Sequence, residues 1–132
     1  MANEAVCIEA PTIFERKTVA TGTLIPFGSI MQLSSDPNTV TISDGDNVFG
    51  GIAWETHTAA SEKTEIVVAM NGIWDIKDSS GGMALGNICS VNGVNLVKTL
   101  IEADVVLGKA VGKVQETAAA SEVVRVAVGS YF

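Results

Sequence analysis

The sequence predicts a mainly β fold: a small barrel-like domain built from two related β units, behind an extended N-terminal arm. Three observations predict it. Apolar residues make up 47% of the chain but aromatic ones only 5%, and the apolar content is Val, Ile and Ala rather than Leu. β-Branched side chains suit a pleated, half-buried surface, and 13 glycines supply turns. Short alternating runs are separated by turn clusters, and the same order of runs and turns is written twice.

Residues 1–21 mix polar and apolar side chains without a sustained period, and Pro11 breaks the one candidate run. They read as a flexible arm, with TIFERKTV (Thr12–Val19) able to become a strand once something pairs with it. The body, residues 22–132, reads as a single β domain. GSIMQL (Gly28–Leu33) and TVTIS (Thr39–Ser43) are strands about the turn SSDPN, and DGDN (Asp44–Asn47) is a second turn. VFGGIAWE (Val48–Glu55) is a strand whose glycine pair marks a bulge. THTAASEK is a polar loop, TEIVVAM (Thr64–Met70) a strand, Asn71-Gly72 a tight-turn signal and IWDI (Ile73–Ile76) a short strand. After DSSGG the order returns as GNICSV, the turn Asn92-Gly93, VNLVKT, VVLGKAVG, ETAAASE and VVRVAVGSYF. A helical turn around Leu100–Asp104 competes with the β reading there.

The two copies, 22–76 and 82–132, align Gly28 with Gly86, Ile30 with Ile88, Gly50 with Gly108 and Val68 with Val126. In the loop, Thr117 stands opposite His57, and Gly112 stands opposite Trp54. Two copies are too few for an open solenoid but fit a closed or half-closed barrel, which also removes exposed sheet edges.

With 8 basic against 15 acidic residues, the net charge is −7, which argues against binding nucleic acid or an anionic membrane leaflet. The first residues carry acids where a signal peptide needs bases, so no cleaved secretion signal is expected. Cys7 and Cys89 lie in no metal-like spacing and read as reduced thiols. His57 is the single histidine and reads as an exposed loop residue. Asp44, Asp46 and Asn47 place oxygen ligands at a turn, but the sequence runs straight on into Val48-Phe49 without the remainder of a calcium loop. No nucleophile elbow, P-loop or dinucleotide fingerprint is present, so neither an enzyme nor a bound cofactor or metal is expected. Trp54 and Trp74 are candidates for the core, a subunit interface or a ligand groove.

The run from Ile25 to Ile76 resembles the head decoration, or cement, proteins of tailed bacteriophages of the phage lambda type. PFGSIMQL leading to TVTISDG, the step FGGIAWE with its polar loop, and NGIWDI carry the resemblance; the second half is similar to related small phage proteins that repeat the unit. The resemblance implies a β-tulip-like domain, present as a homotrimer at three-fold and quasi-three-fold positions on the outside of a virion head. Such a protein is made in the host cytoplasm, adds late to the expanded shell, and strengthens it by binding the major capsid protein. It also implies capsid contact through the arm, here Thr12, Ile13, Phe14, Glu15, Arg16 and Lys17, by strand addition with avidity over three arms. Trp54 and Trp74 fall to the oligomer interface on this reading. The alternative is a virion-displayed carbohydrate- or host-binding module with Trp54 and Trp74 as its stacking platform.

Overall fold

The computed structural model describes residues 3–34, 38–79, 81–100 and 108–130. Those residues form strands and turns, with no helix among them; most of the helical turn expected around Leu100–Asp104 lies outside the described residues. The strands are β1 (Val6–Glu9), β2 (Phe14–Thr18), β3 (Ile30–Leu33), β4 (Val40–Ile42), β5 (Phe49–Ala53), β6 (Glu65–Ala69), β7 (Gly72–Asp78), β8 (Ile88–Val91), β9 (Leu96–Thr99), β10 (Ala110–Val114) and β11 (Val123–Val128).

They build two sheets of the same design. One runs β2-β6-β5-β3-β4, and the other β7-β11-β10-β8-β9 with β1 added outside β7. In the second sheet β9 pairs in parallel with β7, through Lys77–Leu96 and Asp78–Val97, which closes a five-stranded barrel. In the first, the parallel bridge Thr18–Thr39 brings β2 and β4 together in the equivalent place. All other pairings between strands are antiparallel. Closure of this kind satisfies backbone groups that an open edge would leave for another chain.

The internal repeat is therefore structural, but its boundaries differ from those the sequence suggests. β7 opens the second unit as β2 opens the first, so the units are 14–69 and 72–128. IWDI begins the second copy rather than ending the first. Asn71-Gly72 is accordingly a crossover between sheets and not a hairpin turn. The bulge recurs in both units: the register slips between Met31 and Gln32 opposite β5, and between Ala110 and Gly112 opposite β8. Gly51 and Gly112 pair with Met31 and Cys89, and a side chain at either would collide with the neighbouring strand, with Val68 in one case and the Ala127 carbonyl in the other. Glycine is required by close approach here.

Residues 1–21, expected as a free arm, are largely built into the body. β1 pairs with β7 and β2 pairs with β6 over its full length. The partner that turns TIFERKTV into a strand is the chain's own β6. No apolar alternation announces β2, because the one buried position within it is a lysine. Lys17 is 6% exposed, and its ammonium emerges to pair with the half-exposed Glu15 carboxylate.

Each unit has its own core. Val19, Ile25, Met31, Val40, Ala53, Ile66 and Val68 fill the first. The second cluster is built from Trp74, Ile76, Cys89, Val91, Val97, Val111, Val124 and Val126, and continues into Ile30, Phe49, Ile52 and Ala69 of the first unit. The units are thus joined by apolar contact. A buried polar relay crosses the same seam. The Ile30 amide donates to Asn95 Oδ1 at 2.8 Å, the Asn95 amide to Ser43 Oγ at 3.2 Å, and Ser43 Oγ to the Gly93 carbonyl at 2.8 Å. Asn95 has φ of 57°, a left-handed conformation that asparagine tolerates well. At the rim of the seam, Asp46 meets Lys98 at 3.1 Å and Lys109 at 3.6 Å.

Candidate functional site

The most distinctive surface feature is a cluster of aromatic rings where the N-terminal segment crosses the first unit. Phe14 starts β2, Phe27 precedes β3, Trp54 follows β5 and Trp74 lies in β7. Trp54 is central: its ring centroid is 5.5 Å from Phe14, 5.1 Å from Phe27 and 6.0 Å from Trp74, the last edge-on. Such tilted and T-shaped contacts are the favoured aromatic geometries. Trp74 forms the floor; it is fully buried and its Nε1 donates to the Asn71 carbonyl at 3.1 Å. Phe14 and Phe27 stand at the surface, 44% and 41% exposed, with Ile13 also exposed. Trp54 is half-buried between them.

This separates the two tryptophans that the sequence treats as equals. Trp74 is removed from any oligomer interface or stacking platform because it has no exposed surface. Its ring lies in the core joining the two units. Trp54 keeps a partly exposed ring.

The expected arm residues are held on the body. The Thr12 and Ile13 amides both donate to Asn71 Oδ1, at 2.8 and 3.0 Å, and Asn71 Nδ2 donates to Thr12 Oγ1 at 2.8 Å. The Met70 amide donates to the Ile13 carbonyl at 2.9 Å. Glu15 pairs with Val68 and Arg16 with Val67 across the sheet. Thr12, Ile13, Phe14, Glu15 and Arg16 keep exposed side chains, while that of Lys17 is buried. Farther along the N-terminal segment, Val6 and Ile8 of β1 are 60% and 42% exposed. The segment thus carries an outward apolar series: Val6, Ile8, Ile13 and Phe14.

Arg16 also lines a groove of about 480 Å³ with Glu55, Glu62, Lys63, Thr64 and Glu65. Its walls mix both signs of charge. Among the described residues, no group of three or more His, Cys, Asp or Glu side chains is placed to hold a metal ion. At the DGDN turn, Asp46 is engaged by Lys98 and Lys109, and Asp44 Oδ1 accepts from Asn47 Nδ2 at 3.1 Å.

His57 is not an exposed loop residue. It is 2% exposed, and its backbone forms a two-way bridge with Ile25, at 2.7 and 2.9 Å. Nδ1 lies 2.8 Å from the Thr23 carbonyl and Nε2 lies 2.8 Å from the Lys63 carbonyl. These carbonyls, Lys63 first, raise the histidine's pKa against the opposing effect of burial. The polar composition of THTAASEK conceals a core position, because the ring's polarity is satisfied by backbone.

The second unit places its counterpart one residue further on than the sequence match suggests. The Ile25–His57 bridge recurs as Met83–Ala118. Thr56 Oγ1 accepts from the Phe27 amide as Thr117 Oγ1 accepts from the Leu85 amide. His57 is therefore equivalent to Ala118, and Thr56 to Thr117.

Cys7 and Cys89 are free thiols, as expected. Burial pushes Cys89 up to about 12 and raises Cys7 as well. Neither environment activates a nucleophile.

A scan of protein-family models and a search of curated proteins each give no match to this chain.

Proposed function

We propose that the protein is a capsid decoration protein, binding the outside of a phage head at three-fold and quasi-three-fold positions and stabilising the shell. The observation that carries this reading is the set of exposed apolar residues on the N-terminal segment, Val6 and Ile8 in β1, Phe14 at the start of β2 and Ile13 just before it, held on a doubly cored body. Apolar side chains held outward by an ordered segment suit a protein partner. The resemblance of Ile25–Ile76 to phage cement proteins gives that partner its identity, the major capsid protein. The acidic balance suits a body held outside the shell, away from packaged DNA.

The mode of attachment differs from a free arm adding to the shell. β2 already spends one edge on β6, so docking uses the side chains of a pre-ordered segment. Ordering entropy is then not lost again on binding, and a homotrimer gains further through avidity. The test is co-sedimentation with expanded, undecorated heads. An Ile8→Asp, Phe14→Ser double variant should keep the body's circular dichroism and lose at least about tenfold in affinity, the equivalent of 1.4 kcal/mol. Undiminished binding would overturn the surface assignment. Light scattering on the free and bound protein tests the trimer.

The Trp54–Phe14–Phe27 cluster favours a second reading, a displayed carbohydrate- or host-binding module. Trp54, but not Trp74, is then the stacking ring. Glycan-array binding abolished by Trp54→Ala in folded protein is the outcome this reading requires.

A further inference from the structure

The strongest unexplained feature is the environment of His57. Both ring nitrogens face backbone carbonyl oxygens at 2.8 Å, and a carbonyl only accepts. A neutral imidazole carries one donor and one lone pair, so it satisfies one of these contacts and sets a lone pair against the other. The imidazolium, with two N–H donors, satisfies both. The two carbonyls belong to different segments: Thr23 to the turn entering the first core at Ile25, Lys63 to the loop entering β6.

We infer that His57 is a proton-sensitive latch, which as an imidazolium ties the Thr23 turn to the Lys63 loop and on losing its proton releases one of them. The charged groups acting on the ring are Glu55, which favours the cation, and Lys63, which opposes it. The opposing segment, Thr21–Ile25, carries no ionisable side chain. Arg16 of β2, Glu65 of β6 and Glu62 share the neighbouring groove with Glu55 and Lys63, so the released loop is one wall of that groove. The second unit contains its own control. Ala118 occupies the position of His57 and makes the same backbone bridge without a ring, so the proton dependence is confined to the first unit.

The direction follows from linkage. The folded state favours the cation and raises the ring's pKa. The latch therefore contributes stability that is complete below the ordinary histidine value of about 6.5 and is lost as pH rises through the higher folded value. Raising the pH through that folded value loosens the first unit and leaves the second unchanged.

The test is an NMR titration of the intact protein, following the His57 ring together with amide exchange at Ile25, His57, Met83 and Ala118. Exchange is corrected for its intrinsic pH dependence. The ring is expected to titrate above the ordinary histidine value, and protection at Ile25 and His57 to fall at that same pH while Met83 and Ala118 stay protected. A His57→Ala variant, which copies the second unit, should show no such step. A ring that titrates below the ordinary value would overturn the inference, as would constant protection at Ile25 and His57 through the ring's titration. The wild-type measurements decide the matter even where the variant does not fold.

Discussion

Replacing Trp74 with alanine should lower the unfolding free energy by about 3–5 kcal/mol, the range for truncating a large buried aromatic. The ring is fully buried in the cluster that joins the two units. Its removal leaves a cavity at a junction that both barrels constrain, so neighbouring strands collapse into it only in part. The Asn71 carbonyl loses the indole N–H that it accepts. Trp54 loses the edge-on contact at 6.0 Å, and Phe27 a ring at 6.4 Å. Domains of this size are stable by about 5–15 kcal/mol, so the variant should sit near the limit of folding. Urea titration reads the effect as a fall in midpoint with unchanged slope. Trp54→Ala should cost less, because that ring is only half-buried. Equal costs for the two would contradict their division into floor and surface.

Deleting residues 1–20 should abolish cooperative folding of the first unit. A dispensable arm would leave the body intact; this segment is β1 and β2. Removing β2 takes away one of the two antiparallel partners of β6, from Phe14–Ala69 to Thr18–Glu65, together with the Thr18–Thr39 bridge. It also removes Val19 from the first core and Ala5 from the second. The remaining four strands would expose β6 as an unprotected edge, which favours aggregation. A shorter deletion that stops at Glu9 removes β1 alone, leaving the first unit with all five of its strands. It should lower the melting temperature while keeping a single cooperative transition. Thermal unfolding followed by circular dichroism separates the two variants. A 1–20 deletion that melts like the full chain would return these residues to the status of an arm.

Strands with local alternation or local punctuation were legible in the sequence. TVTIS, TEIVVAM and VVRVAV became β4, β6 and β11, and the Gly pair of VFGGIAWE marked a real bulge. The doubled order of turns announced two related units, because each follows the same five-strand order. What could not be read depends on distant pairing. β2 finds its partner some fifty residues later, at β6, and its single buried position is the lysine Lys17. The unit boundary was displaced because Asn71-Gly72 looks like a hairpin turn, although β6 and β7 lie in different sheets. His57 was misplaced for a related reason. A polar loop normally faces water, and only the Thr23 and Lys63 carbonyls, brought in from both sides, make its burial possible. For the tryptophans, period and flanking residues carry no signal that separates a floor ring from a wall ring.

β1 precedes the first unit in the chain yet pairs with β7 of the second. During synthesis the earliest residues to emerge must wait until Ile73–Asp75 has been made before they find their place. The first unit can close around β2 as soon as Ala69 is available, and the N-terminal strand gains its partner only when the first strand of the second unit follows. It acts as a clasp between the start of the chain and the first strand of the second unit. Because β1 is an edge strand with a single partner, its amide protection is expected to be lost before that of β7, which is paired on both sides.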